Sequence, residues 1–159
     1  LIYILMNTIR NKLVLHNIPS IINNKIKVFN KDKIIELCKY NITDWENYVW
    51  FEKDKYVKSL IYKNNFFDMY IISWNNNVES PIHDHPDKGC IMKVLGGNIE
   101  ESLYNHNLDL MNIKTLNVND ISYIDNTHGF HKMKTKEDKC ITLHIYSPPD
   151  YKINIYKDL

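Results

Sequence analysis

Residues 80–104 read SPIHDHPDKGCIMKVLGGNIEESLY and contain two short runs that are typical of β-strands. The first run is GCIMKVLGG (89–97), and the second, NIEESLYNH (98–106), begins directly after it. Each run is bounded by Asn, Asp, Gly or Pro and has the β-branched or aromatic content of a strand. We therefore predict two strands in this part of the chain.

Three runs outside this stretch have the same strand-like length and composition. They are FFDMYIISW (66–74), DISYID (120–125) and CITLHIYS (140–147). The residues before them differ, because Ile34, Ile35 and Cys38 recur at helical spacing within 31–40. The chain is thus expected to begin with helix and continue as strands.

A second helix is expected near Thr43-Asp44-Trp45-Glu46, which has the pattern of a capping box and predicts a helix to about Phe51. Short strands after a small helical segment predict a mainly β fold, an all-β barrel or sandwich with an N-terminal helical cap. We expect one domain over 1–159, helical to about residue 52 and a barrel from about residue 53. A small closed barrel has room for one ligand.

The composition argues against several kinds of partner. The 159 residues are 44% hydrophobic and carry a net charge of +1, so neither nucleic acid nor a membrane is an expected partner. Three widely spaced cysteines are too few for a secreted disulfide scaffold, which favours a reducing, cytoplasmic location. The apolar opening LIYILM is too short for a signal peptide or a membrane span.

Histidines supply the first candidate site. His83 and His85 flank Asp84, and residues two apart in a strand face the same side, so both imidazoles would enter one space. His131 could reach that space from another strand. Three neutral imidazoles suit zinc, copper, iron or nickel and leave coordination positions open for a substrate. The alternative is a surface turn between two prolines.

The sequence around these histidines resembles the cupins, and one cupin family in particular. In cupins two histidines of an H-x-H motif, a Glu a few residues on and a later histidine bind the metal. Here Cys90 occupies the Glu position, and LHIYSPPDY (143–151) follows near the C-terminus. Together these motifs resemble cysteine dioxygenase type I over roughly residues 45–151, which implies a cupin-type β-barrel, or jelly roll.

The resemblance also implies a cofactor and a reaction. It implies Fe(II) held by His83, His85 and His131, and the conversion of L-cysteine and O2 to cysteine sulfinic acid. A three-histidine site lacks the anionic ligand of a 2-His-1-carboxylate site. A substrate that binds as a thiolate would supply that negative charge itself. The expected partners are a small thiol and O2, and the expected state is a monomer.

The family also contains a Cys–Tyr thioether beside the iron, and the matching pair here is Cys90 and Tyr146. Spacing by two places Thr142, His144 and Tyr146 on one strand face. In the family this face carries a Ser-His-Tyr hydrogen-bond chain that orients the tyrosine phenol, and Thr142 stands in for the Ser. Taken singly, Cys90 could be a small buried hydrophobe and His144 a hydrogen-bonded core histidine.

Substrate binding is implied for Tyr56, Lys58 and Trp74, although Trp74 could equally be a core residue and Tyr56 an ordinary packed tyrosine. The family binds the substrate carboxylate with an arginine two residues after the tyrosine. Here Lys58 holds that position and Arg10 is the only arginine, so a looser grip on a carboxylate is expected. Family members of the mammalian type also continue further past the final Pro-Pro, so either a barrel that closes with fewer strands or a more open pocket wall is expected.

Other histidines and other functions are alternatives to this site and this reaction. His128 could be a fourth ligand but fits a turn better, while His16 and His106 are expected at the surface. Asp84 is expected to face away from the site and to act as scaffold. The alternative functions are dioxygenation of 3-mercaptopropionate or cysteamine, metal binding without turnover, and a zinc cupin; a carboxylate-binding Lys58 argues against cysteamine.

Overall fold

The computed structural model describes residues 12–25 and 29–157. Its N-terminal part holds β1 (Lys12–Val14), a 3-10 turn (Leu15–Asn17), α1 (Ile18–Lys25), α2 (Lys31–Cys38), β2 (Asn41–Thr43) and a second 3-10 turn (Glu46–Tyr48). The opening segment 1–6 and Arg10 lie outside the described residues. No helix in the described ranges is both long and apolar enough to cross a membrane.

The rest of the chain is strand and loop. The strands are β3 (Val57–Lys63), β4 (Asp68–Trp74), β5 (Ile82–His83), β6 (Cys90–Gly96), β7 (Asn98–Tyr104), β8 (Leu110–Asn117), β9 (Ile121–Ile124), β10 (Phe130–Lys134), β11 (Cys140–Tyr146) and β12 (Ile155–Tyr156). One sheet has the order β12-β5-β10-β7-β8, and the other has the order β3-β4-β11-β6-β9. The mainly β fold with an N-terminal helical cap is confirmed.

The two five-stranded sheets pack through an inner apolar cluster to which both contribute. Its members include Ile72, Met92, Val94, Ile99, Leu116 and Met133. Among the described strands, no hydrogen-bonded pair joins the two sheets. The fold is therefore a two-sheet jelly roll rather than a fully closed barrel. The space between the sheets is where inward-facing polar residues can meet.

The helical segment covers the opposite face of the second sheet. There Leu15, Ile18 and Ile34 pack in one cluster with Met69, Ile91 and Leu143 of the central strands. The strands β4, β6 and β11 are therefore buried on both faces. This accounts for their nearly continuous apolar sequence, which was the clearest strand signal.

All five strand runs read from the sequence are confirmed, as is the helix predicted within 31–40, which is α2 (Lys31–Cys38). The prediction of a second helix from Thr43 to about Phe51 is wrong. Thr43 ends a strand that pairs in parallel with β1, Asp44 takes a positive φ of 65°, and only Glu46–Tyr48 form a 3-10 turn, without a side-chain cap. Packing of Trp45 and Tyr48 against the core outweighs the local capping preference.

Candidate metal centre and active site

Three histidine side chains converge between the sheets. His83 ends β5, His85 lies two residues on, and β10 brings His131 opposite His83 in the strand register. The Nε2 atom of His131 lies 3.1 Å from Nε2 of His85 and 3.2 Å from Nε2 of His83. All three side chains are buried, and their candidate ligand nitrogens lie within 4.8 Å of one another.

This arrangement fits a metal ion. Metal–nitrogen bonds of about 2.0–2.1 Å place two nitrogens of one ion about 3 Å apart, close to the separations found here. Burial and the neighbouring imidazole of His131 lower the pKa of His83 to about 3 and also lower the pKa of His85. Both rings are therefore neutral near pH 7 and can offer lone pairs to a cation.

The far sides of the imidazole rings have different partners. His83 Nδ1 lies 2.9 Å from the carbonyl oxygen of Pro81, and His131 Nδ1 lies 2.8 Å from a carboxylate oxygen of Glu101. A proton on Nδ1 leaves the lone pair on Nε2, so both contacts fix the tautomer that a metal needs. Sequence reasoning missed Glu101, which is fully buried.

A second group of polar side chains lines the facing strand. The register pairs Tyr146 of β11 with Cys90 of β6, and His144 Nδ1 lies 3.2 Å from the Tyr146 hydroxyl and 3.6 Å from the Cys90 sulfur. On the other side of the ring, His144 Nε2 lies 2.8 Å from the Thr142 hydroxyl, which accepts a 2.8 Å hydrogen bond from Trp74 Nε1. Trp74 thus extends the Thr-His-Tyr chain.

Burial keeps the two ionisable members of this chain neutral. It lowers the pKa of His144 well below its usual value and raises the pKa of Tyr146 well above its own. Burial raises the pKa of the Cys90 thiol as well. The hydrogen-bonded series Thr142–His144–Tyr146 can therefore orient protons while all of its members stay uncharged.

One cleft joins these groups. It is lined by Tyr56, Lys58, Ile72, Trp74, Ser80, His83, His131, Met133, His144, Tyr146 and Ile153. The Tyr56 ring packs on Trp74 with centroids 4.7 Å apart, and the Lys58 ammonium lies 4.9 Å from the centroid of the Tyr146 ring. The three residues assigned to substrate binding therefore open on the same space as His83 and His131, two of the three candidate metal ligands.

The remaining candidates lie elsewhere. His128 is exposed and contacts Asp125 at 2.7 Å, and His106 is exposed with its ring against a backbone carbonyl, so neither joins the cluster. His16 is also exposed. Asp84 accepts hydrogen bonds of 2.7 and 2.6 Å from the backbone and side chain of Asn154, which fits the scaffold role expected for it.

Comparison with known proteins gives a family match over nearly the whole chain. The family model described as cysteine dioxygenase type I matches residues 8–158. Rat cysteine dioxygenase type 1 is 28% identical over 135 residues, which cover 79% of this chain and 68% of the rat protein. The bovine protein is 28% identical over 145 residues, or 86% of this chain and 72% of the bovine one.

Solved structures support the fold alone. A Klebsiella pneumoniae protein with a double-stranded β-helix domain superposes with a TM-score of 0.63 at 16% identity, covering 74% of this chain and 92% of that one. A cupin superfamily protein from Desulfitobacterium hafniense gives a TM-score of 0.52 at 11% identity, covering 62% and 83%. Both fit the cupin-type jelly roll.

Proposed function

Since the chain belongs to the cysteine dioxygenase type I family, we propose that it is an iron-dependent thiol dioxygenase that converts L-cysteine and O2 to cysteine sulfinic acid. The observation that carries this proposal is the convergence of three buried imidazoles beside the Cys90 and Tyr146 pair. A cupin that only binds a metal has no need of the second group.

We assign the metal to His83, His85 and His131. Iron(II) held by these three imidazoles would offer open coordination positions to a thiolate and dioxygen. The protein around it contributes imidazole ligands, the apolar side chains of Ile72, Met133 and Ile153 in the cleft wall, and the phenol of Tyr146, whose oxygen lies 3.2 Å from His144 Nδ1. That phenol is a hydrogen-bond donor of high pKa and is suited to stabilise negative charge on a reacting oxygen.

We assign the substrate carboxylate to Lys58, with Tyr56 lining the same cleft. The Lys58 ammonium lies 4.5 Å from the centroid of the Tyr70 ring and 4.9 Å from that of Tyr146. Within the described part of the chain it has aromatic faces against it but no hydrogen-bond acceptor, so its N–H donors are available to a ligand. A thiol that also carries a carboxylate fits this cleft better than one that does not.

The test of the function is oxygen uptake by the iron-loaded protein with cysteine, 3-mercaptopropionate and cysteamine in parallel. We expect uptake and stoichiometric sulfinate with cysteine, and at least tenfold lower kcat/KM for cysteamine because it lacks the carboxylate. Metal analysis of the active protein is expected to find iron. Stoichiometric zinc in active protein, or thiol loss without sulfinate, would contradict the proposal.

We further propose that Cys90 and Tyr146 become joined by a thioether. Their strands hold them directly opposite each other, and His144 lies within 3.6 Å of the sulfur and 3.2 Å of the phenol oxygen. Bond formation between sulfur and the ring breaks the S–H bond and one ring C–H bond, and O2 accepts the two electrons and two protons to give hydrogen peroxide. This step needs the loaded metal site.

Intact mass under denaturing, reducing conditions checks the thioether. Protein incubated with iron, cysteine and O2 is expected to lose the mass of two hydrogen atoms, and reductant does not restore them. Cys140→Ser is the matched control, because Cys140 is also a free, buried cysteine but lies at the other end of β11. It should retain the mass loss, whereas Cys90→Ser should show none; a loss that persists in Cys90→Ser would refute the assignment.

A further inference from the structure

A buried carboxylate lies one hydrogen bond away from the histidine cluster. Glu101 of β7 is fully buried, and its Oε1 atom lies 2.8 Å from His131 Nδ1. Both carboxylate oxygens have further partners. The Ser122 hydroxyl lies 3.1 and 2.9 Å from the two oxygens, and the Lys114 ammonium lies 2.8 Å from Oε2. These contacts fix the position of the Glu101 carboxylate relative to the His131 ring.

Only one of the three imidazoles has this kind of partner. His83 Nδ1 faces the neutral carbonyl of Pro81, and among the described residues no group bonds to the buried Nδ1 atom of His85. His131 alone is linked to a formal charge. The three nitrogens that face the candidate metal are therefore chemically unequal, although the side chains are the same.

The contacts of the carboxylate favour its anionic form. The Lys114 ammonium lies 2.8 Å from Oε2, and the Ser122 hydroxyl and His131 Nδ1 face the same carboxyl group, so all three partners are groups that can donate a hydrogen bond to an anion. A histidine whose N–H donates to a carboxylate becomes a more basic ligand, because the anion draws the proton away from the ring. The effect passes through Nδ1 to the lone pair on Nε2.

We propose that Glu101 is a positioning residue that supplies, through His131, the negative charge that three histidine ligands lack, and that Lys114 limits how much of that charge the metal experiences. Many non-haem iron sites bind a carboxylate directly. Here the anion is moved one hydrogen bond outward, which leaves one more coordination position open. The inference depends on the proposed metal site but not on which thiol is oxidised.

The two charged residues give opposite expectations, which separates an electrostatic role from a structural one. Glu101→Gln keeps an oxygen that can accept the proton of His131 but removes the charge. It is expected to weaken iron(II) binding by about 10- to 100-fold. It should also raise the Fe(III)/Fe(II) midpoint potential. Lys114→Met keeps an extended side chain and removes the opposing charge, so it is expected to tighten binding several-fold and to lower the potential.

The experiment measures iron(II) and cobalt(II) dissociation constants by chelator competition, and the midpoint potential of the iron form, for both variants and the parent protein. Thermal unfolding of the metal-free proteins identifies a variant that has lost its fold. If Glu101→Gln does not fold, the shifts measured for Lys114→Met test the inference. The Lys114 side chain is 40% exposed, so its replacement is expected to preserve the fold. Glu101→Gln within twofold of the parent, or Lys114→Met shifted in the same direction as Glu101→Gln, would overturn the inference.

The outcomes distinguish this inference from the proposed function. A parent protein that binds iron and forms sulfinate, with Glu101→Gln unchanged in affinity and potential, refutes the role of Glu101 alone. A parent protein that binds neither metal refutes the metal site and the role of Glu101 together. Tight metal binding with the expected opposite shifts but without sulfinate refutes the reaction and retains the charge relation.

Discussion

Replacing His85 by alanine is expected to lower iron(II) affinity by more than 100-fold and to abolish thiol oxidation at substoichiometric free iron. Loss of the hydrogen-bonded partner of a metal ligand commonly costs 10- to 100-fold in affinity, and loss of the ligand itself costs more. His85 is the suitable member of the cluster because its Nδ1 has no hydrogen-bond partner among the described residues, so its removal breaks no polar contact of the ring other than that to His131. Iron content after desalting and sulfinate formation are the measurements.

The matched control is His128→Ala. His128 lies three residues before His131 in sequence, yet it is exposed and contacts Asp125. It should keep the iron content and kcat/KM of the parent protein. The metal should also raise the melting temperature of the parent and of His128→Ala but not that of His85→Ala, because ligand binding to the folded state stabilises it. Full iron content in His85→Ala would remove His85 from the ligand set.

Strand sequences with two buried faces were the most predictable part of the fold. The β4, β6 and β11 sequences are nearly continuous apolar runs because the helical cap covers one face and the other sheet covers the second. In contrast, β8 escaped detection since it lies at a sheet edge and most of its residues are exposed. The short β5 and β12 carry too few residues for a pattern.

The histidine site could be predicted only in part from local sequence. Alternation puts His83 and His85 on one side, but nothing local ties them to His131, 46 residues further on. Family resemblance supplied that connection. Glu101 escaped notice because a charged residue in a strand usually faces solvent. Its spacing of two from the buried Ile99 was the available signal, since it places both side chains on the same face.

Lys58 poses a different problem, since the sequence identifies the residue but not its surroundings. Burial lowers the pKa of its ammonium, while the negative charge of Asp68 acts in the opposite direction. The cation lies near the faces of Tyr70 and Tyr146, which stabilise it where water is reduced. These contacts hold a lysine at the position where the resemblance implies an arginine, and within the described residues its N–H donors have no hydrogen-bond acceptor.

Lys58→Met is expected to lower kcat/KM for cysteine by about 10- to 100-fold, mainly through a higher KM, because a hydrogen bond between charged groups contributes about 1.5–3 kcal/mol. Methionine keeps the length of the stem and most of its contact with the tyrosine rings. Oxidation of cysteamine, which has no carboxylate, should change less than threefold. Lys58→Arg should lower KM for cysteine several-fold, since a guanidinium can form two parallel hydrogen bonds with a carboxylate.

Steady-state oxygen uptake over a range of thiol concentrations separates KM from kcat in each variant. Lys33→Met, which changes an exposed lysine on α2 that is remote in sequence from the cleft residues, is the control and should match the parent. The decisive quantity is the ratio of kcat/KM for cysteine to that for cysteamine, because a general loss of fold or of iron lowers both equally. A ratio unchanged in Lys58→Met would show that the substrate carboxylate binds elsewhere, and the arrangement of Tyr56, Lys58 and Tyr146 would then need a different ligand.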